Sequence, residues 1–371
     1  MVMAMETLNI LYHQDIMHSI LKPSGVWIMA YTTIDDPSGT AFNTVLYTGD
    51  GTSSRSITGV GFQPDWIWIK GRNQARNNTL FDIVRGVQIQ LHTNKTSAES
   101  TQSNALSSFD SDGFSVGDNT GVNENTTTYV SWNWLAGGSA SSNSDGSITS
   151  SVSANTTAGF SIVSYTGNST GGATVGHGLG SVLNWIIVKD RDNTRSWTVY
   201  HQGMGNTHGI YLNATSTKDD DSVYWNDTTP SSSVFTLGSS NETNASASMI
   251  AYCFAEKKGY SKFGSYTGNN NTDGTFVYTG FKPAWVMMKA TTASEHWNMH
   301  DNKRDPINVC DAGLKSNENN AEEDADRLDF VSNGFKHRSS SGGYNSSNTF
   351  IYMAFAESPF VNSNGIPTNA R

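Results

Sequence analysis

Three times along the chain, a turn signal feeds an unbroken apolar run that a lysine closes. The clearest copy is Gly61-Phe62-Gln63-Pro64-Asp65-Trp66-Ile67-Trp68-Ile69-Lys70. It returns as Gly280-Phe281-Lys282-Pro283-Ala284-Trp285-Val286-Met287-Met288-Lys289, with a degenerate version, Gly178-Leu179-Gly180 and then Trp185-Ile186-Ile187-Val188-Lys189, between them. Such a run is too short for a helix, and Trp, Ile and Val suit a pleated surface, so the pattern predicts a strand. Unbroken apolarity, rather than alternation, predicts cover on both faces. The recurrence marks an internal repeat.

The flanking segments recur in the same order. An identical tripeptide opens each copy, Tyr47-Thr48-Gly49, Tyr165-Thr166-Gly167 and Tyr266-Thr267-Gly268, where a strand should end in a turn. After the apolar strand come an aromatic strand (Leu80-Phe81-Asp82, Trp197 to His201, Trp297 to His300) and a Leu-then-Asn segment (Leu91 to Asn94, Leu212-Asn213, Leu314 to Asn317). A closing hairpin is expected last. Its first arms are residues 113–116, 234–237 and 334–336, its loops carry Asn123, Asn244 and Asn345, and its returning arms are residues 129–134, 249–254 and 350–355. In the first returning arm Val130, Trp132 and Trp134 alternate with Ser131 and Asn133, as in a half-buried strand. Units of about 100 residues with roughly six to eight short strands predict an all-β chain of three tandem jelly-roll or concanavalin-like β-sandwich repeats.

The expected boundaries are an N-terminal extension over 1–40, repeats over 41–138, 157–258 and 259–371, and a Gly/Ser-rich linker over 139–156. Within the extension, Leu8, Leu11, Ile16, Ile20 and Leu21 have helical spacing before Pro23, and residues 26–29 read as a strand. Either an attachment segment or a leader would fit. The apolar strand of the first repeat has no obvious cover behind its linker, which predicts a homotrimer packed about that strand.

Composition narrows the partners. Charged residues make up only 15 %, with Gly, Ser, Thr and Asn abundant, which suits turn-rich β structure better than a helical bundle. Ten Trp argue for ordered cores. A net charge of −10 disfavours nucleic acid and anionic membranes, which need Lys/Arg clusters. No run approaches a membrane span, and no secretory signal is apparent. Cys253 and Cys310 occupy unrelated repeat positions, so neither a metal site nor a disulfide framework is expected.

No nucleophile elbow, phosphate loop or zinc helix appears, so no enzyme activity and no cofactor are predicted. Gly167-Asn168-Ser169-Thr170-Gly171-Gly172 reads as a turn, since no helical pattern follows it. Asp110 and Asp112 resemble the start of a calcium loop, but the distal Glu is missing and the other copies lack the pattern. The acidic stretch 318–329, with Glu322, Glu323, Asp324 and Asp326, and the run Asp219-Asp220-Asp221 read as solvated segments, with glycosidase carboxylates as the alternative. His177 and His201 are scattered, whereas His296 and His300 would share a strand face as a possible metal pair. Sugars stack on aromatic faces and bond to loop amides, which singles out Trp225-Asn226-Asp227 and Trp297-Asn298 as glycan-binding candidates. Trp225 lies outside the repeated strands and is the best placed to be exposed.

Taken together, these motifs resemble a repeat domain of tailed-bacteriophage tail proteins. The residues that carry the resemblance are Tyr-Thr-Gly, then residues 57–65, Leu80-Phe81-Asp82 with Val84-Arg85-Gly86, residues 107–114, the returning arms, residues 251–256 and 263–268, and Ala354-Phe355-Ala356-Glu357-Ser358-Pro359-Phe360. The match runs over residues 32 to 371 with the motifs in order. It implies a virion tail or tail-fibre component, made in the host cytoplasm, that contacts other tail proteins and the host-surface polysaccharide through lectin-like sandwiches. It brings no catalytic residues. Two other readings are a tail depolymerase using carboxylates of 219–221 or 318–329, and a purely structural tail or head-decoration protein.

Overall fold

The computed structural model describes Ile34 and residues 37–357. The expected helix and strand before Pro23 and at 26–29 lie outside these residues. The described chain is all-β, with 43 % strand and 5 % helix, and its sheets pack as β-sandwiches.

Each repeat copy builds its main sheet on the same three adjacent strands. In the first copy Thr128–Trp134 lies between Phe42–Thr48 and Trp66–Gly71, followed outward by Thr79–Asp82 and Ile89–His92, all antiparallel. The second copy repeats this with Ser248–Phe254 between Phe160–Thr166 and Trp185–Asp190, then Thr198–His201 and His208–Tyr211. The third uses Thr349–Ala356 between Ser261–Thr267 and Pro283–Ala290, then Asn298–Asp301 and Cys310–Lys315.

The Tyr-Thr-Gly turn is the same machine three times. Tyr47, Tyr165 and Tyr266 donate their hydroxyls to the carbonyls of Val122, Thr243 and Tyr344 at 2.7, 2.6 and 2.7 Å. The amide oxygens of Asn123, Asn244 and Asn345 accept from the backbone N–H of Asp50, Asn168 and Asn269. A Cβ on Gly49, Gly167 or Gly268 would stand 2.0–2.1 Å from a carbonyl oxygen of the facing loop, so only glycine lets the two backbones approach this closely.

Three expectations need correction. The two arms of the closing hairpin do not pair: Gly113–Val116 joins a smaller sheet with Arg55–Thr58 and Leu106–Asp110, while Thr128–Trp134 returns to the main sheet. The Asn-bearing loop therefore crosses from one sheet to the other. Ser131 and Asn133 are buried, not solvent-facing, with the Asn133 amide donating to Asn43 O and Ser131 O. The Gly/Ser-rich stretch is not a free linker. Ser141–Asn143 and Ser150–Asn155 extend the second copy's sheet, and Ala136 and Gly138 donate their N–H groups to the Asp65 carboxylate.

The apolar strand shows why its pattern does not alternate. Ile67 and Ile69 pack into the first copy's own sandwich with Phe81, Phe114 and Val116. Trp66 and Trp68 point the other way, into one core shared by all three copies. There Trp66 lies 4.9 Å from Tyr252 and 5.9 Å from Phe254, Trp134 lies 5.6 Å from Trp285, and Phe254 lies 6.1 Å from Phe355. Second and third copies thus supply the cover that a homotrimer was expected to supply. The inference that this strand needs other molecules is overturned.

The contacts between copies close into a ring. The Glu322 N–H donates to Arg72 O, Glu99 N–H to Arg191 O, and Lys218 N–H to Thr291 O, at the same repeat position each time. Side chains follow the same order: Arg72 holds Glu322 with two hydrogen bonds and Arg191 holds Glu99 likewise. The lysines that close the apolar strands are buried here, Lys70 reaching Asn319 O and Lys289 reaching Thr215 O in the neighbouring copy. Burial pushes their ammonium groups down, Lys70 to about 7 and Lys289 to about 8.

Candidate binding cleft

The strands Thr79–Asp82 and Ile89–His92 are joined by a turn that Asp82 organises. Its carboxylate accepts from the N–H of Val84 and Arg85 and pairs with the Arg85 guanidinium at 2.5 Å, with both side chains fully buried. This rigid corner fixes the register Thr79 to His92 and Leu80 to Leu91. Residues 119–121, in the segment crossing between sheets, lie opposite Thr79, Gln90 and His92 of these strands.

Between them lies a cleft of ≈ 280 Å³ lined by Ala75, Arg76, Asn77, Thr79, Gln90, His92, Gln102, residues 119–121, and Asn319 of the third copy. The Asn119 amide oxygen accepts from Gly121 N–H and its amide nitrogen donates to Asn104, so the rim is pinned. Arg76 is held by Glu124 through both Nε and Nη2, which neutralises it. His92 touches Thr79 Oγ1 and Gln90 Nε2 only at 3.5 and 3.4 Å. Burial, reinforced by the nearby Lys95 charge, pushes its imidazole down to about 4, so the ring is neutral at physiological pH. The cleft is therefore polar with no net charge of its own.

The repeat gives this cleft a built-in comparison. Register places Gln90 of the first copy where the others have Gly209 and Gly313. A Cβ on Gly209 would meet the Tyr224 ring at 2.8 Å, and one on Gly313 would lie 3.4 Å from the Tyr344 hydroxyl. Two copies thus lay a tyrosine across this strand. The first has an amide side chain instead, with Val122 at the Tyr344 position.

The residues singled out by sequence mostly serve the fold. Trp225 and Trp297 are buried, correcting the expectation that they offer sugar-stacking faces. Trp225 sits in the second copy's core 5.7 Å from Tyr200, because the short helix Ser222–Trp225 folds it inward. Trp297 donates its indole N–H to Tyr211 O, and Asn298 is also buried, donating to Gly343 O. Asn226 and Asp227 are exposed, but as left-handed residues that end the helix. Asp110 bonds Ser108 and Ser115, whereas Asp112 accepts from Gly59 and Gly61 N–H, so the calcium candidates serve two separate turns.

Four carboxylates of the depolymerase reading are engaged in the fold. Asp219 accepts from Tyr224, Asp221 caps the short helix, Glu322 binds Arg72 and Arg304, and Asp329 binds Arg338. His296 bonds Asn317, while His300 is buried against the Tyr344 hydroxyl. The two histidines do not converge, and among the described residues no group of three or more His, Cys, Asp or Glu could hold a metal ion. Among the described residues no helix is long and apolar enough to cross a membrane.

Sequence reasoning missed Gln90, His92, Gln102 and Asn119. The signal was present as a departure of one copy from its siblings at the glycine and tyrosine positions. Comparison with known families matches residues 36–359, almost all of the described chain, to one described as a domain of unknown function. The chain belongs to that family, DUF7483. No curated protein matches it. In this member of DUF7483, Phe276 and Tyr278 are also exposed, on an edge strand of the third copy where the first copy has Ser56 and Thr58.

Proposed function

We propose that the chain is a non-enzymatic component of a bacteriophage tail or tail fibre that contacts host-surface glycan, using three jelly-roll, concanavalin-like sandwiches as its scaffold. The ordered motif series that resembles phage tail repeat domains supports the virion assignment. The observation that carries the glycan contact is the uncharged polar cleft of the first copy, on rigid strands, where the other two copies place Tyr224 and Tyr344. Loops on a rigid β scaffold are where binding residues concentrate. Other tail proteins are the expected neighbours.

Two measurements test this reading. Mass spectrometry of purified particles should find the chain in virions. Purified protein should adhere to host cells and be displaced by their surface polysaccharide. Virion association without adhesion would leave only the structural role, and absence from particles would remove the assignment.

A further inference from the structure

We propose that the cleft beside Gln90 and His92 is a subsite for one uncharged sugar residue of a glycan chain. This inference rests on the glycan-contact reading and narrows it to a class of sugar and a place.

The lining is a set of groups that both donate and accept. Carboxamides and hydroxyls do so, and so does a neutral imidazole, which matches the vicinal hydroxyls of a sugar. Several have capacity left. Gln102 is half-buried, and its carboxamide has no hydrogen-bond partner among the described residues. Asn77 uses its oxygen to accept from Asn94 at 3.0 Å, and His92, besides its bond to the Asn78 backbone, has two long side-chain contacts.

Charge selects against acidic sugars. The one cation in the lining, Arg76, already spends Nε and Nη2 on Glu124, and Nη1 leans on Ala75 O. A uronate carboxyl would enter a partly desolvated site with its cation taken and Glu124 close by, which costs free energy. A neutral ring incurs no such cost. The volume, ≈ 280 Å³, sits at the small end of ligand clefts and suits a single ring rather than a long buried chain. Asn319 on the rim belongs to the third copy, so the subsite is complete only when the copies are packed together.

The test uses the intact chain and simple probes: methyl glycosides of glucose, galactose and N-acetylglucosamine, with methyl glucuronide as the acidic counterpart, read by saturation-transfer NMR and titration. Thr120→Trp places a bulky ring at an exposed rim position, and Gln102→Ala removes an uncommitted amide. Neither side chain supports the fold, and circular dichroism checks that. At least one neutral glycoside should bind, the glucuronide should bind at least about tenfold more weakly, and Thr120→Trp should weaken the neutral sugar by about tenfold or more.

Equal or tighter glucuronide binding would overturn the proposal, as would neutral-sugar binding untouched by both variants. If Phe276→Ser/Tyr278→Ser abolished binding instead, the sugar would sit on that aromatic edge; glycan contact would survive and this site would not. Host-cell adhesion with no neutral glycoside bound would likewise end the proposal and leave the broader reading intact. Loss of adhesion itself would count against the broader reading.

Discussion

Trp132 of the first copy donates its indole N–H to Asp301 of the third at 3.0 Å, across the core that the three copies share. The same relation joins Tyr252 of the second copy to Asp82 of the first, hydroxyl to carboxylate, at 2.7 Å. Each aspartate also holds an arginine three residues on, Arg304 or Arg85, with both partners buried. Replacing Trp132 or Tyr252 by Phe removes the donor and keeps most of the ring. Each change should cost about 1–3 kcal/mol, the range for a buried charged acceptor losing one donor, with the larger loss at Trp132 because volume is also lost. Urea unfolding monitored by fluorescence and circular dichroism measures it.

The third position of this ring has swapped partners together. Where the first and third copies have Asp and Arg, the second has His201 and Met204, and the donor position of the third copy is Met353. His201→Asp alone would bury an unpaired carboxylate and should cost about 3–5 kcal/mol. Adding Met204→Arg and Met353→Tyr should recover a large part of that loss. A triple variant no more stable than the single one would show that the ring position does not transfer. Non-additivity in a double-mutant cycle is the quantity to read.

Stability should fall on mild acidification. Burial holds His201 and His337 down to about 3 and His177 and His92 to about 4. Between those values and the ordinary value near 6.5, the unfolded chain binds more protons than the folded one, so stability rises with pH through that window. It is fully present above about pH 6.5 and lost as pH falls towards 3–4. Lys70 and Lys289, held down to about 7 and 8, add a second rise between those values and the unfolded lysine value. Denaturant midpoints across pH 4–9 would show both slopes. A His201→Phe variant should flatten the acidic one.

Ile67 is the place to separate association from folding. Its side chain is fully buried inside the first copy's sandwich. Ile67→Asp should therefore lose several kcal/mol, on the order of 3–5, and unfold the first copy rather than dissociate an oligomer. Light scattering together with near-ultraviolet circular dichroism distinguishes the two. A folded variant of reduced mass would instead support packing between molecules at this strand.

Much of the fold could be read from the chain because its local signals are strong and repeated. The apolar strands fall where Trp66, Trp185 and Trp285 place them, and the Tyr-Thr-Gly tripeptides end their strands in one shared turn. Pairing across the chain was not legible. Nothing local to Gly113–Val116 says that its partner is Arg55–Thr58 rather than the strand that follows it. Cover for Trp66 comes from residues such as Tyr252 and Phe254, far along the sequence, which is why the strand looked as though it needed a second molecule. The candidate site was hidden for another reason. Amides such as Gln90 and Gln102 are unremarkable one by one, and only alignment of the copies shows a long side chain standing where the others have glycine beside a tyrosine.

The closed ring of copies has a consequence for valency. An assembly of three identical chains must repeat any pocket three times and cannot vary one corner without varying all. Here the three corners are encoded separately, so the second and third can stay plugged by Tyr224 and Tyr344 while the first stays open. Each molecule would then engage a surface through a single point. Firm attachment to a cell would have to come from the number and spacing of whole molecules on the particle, and one plugged site per molecule would be enough to abolish it.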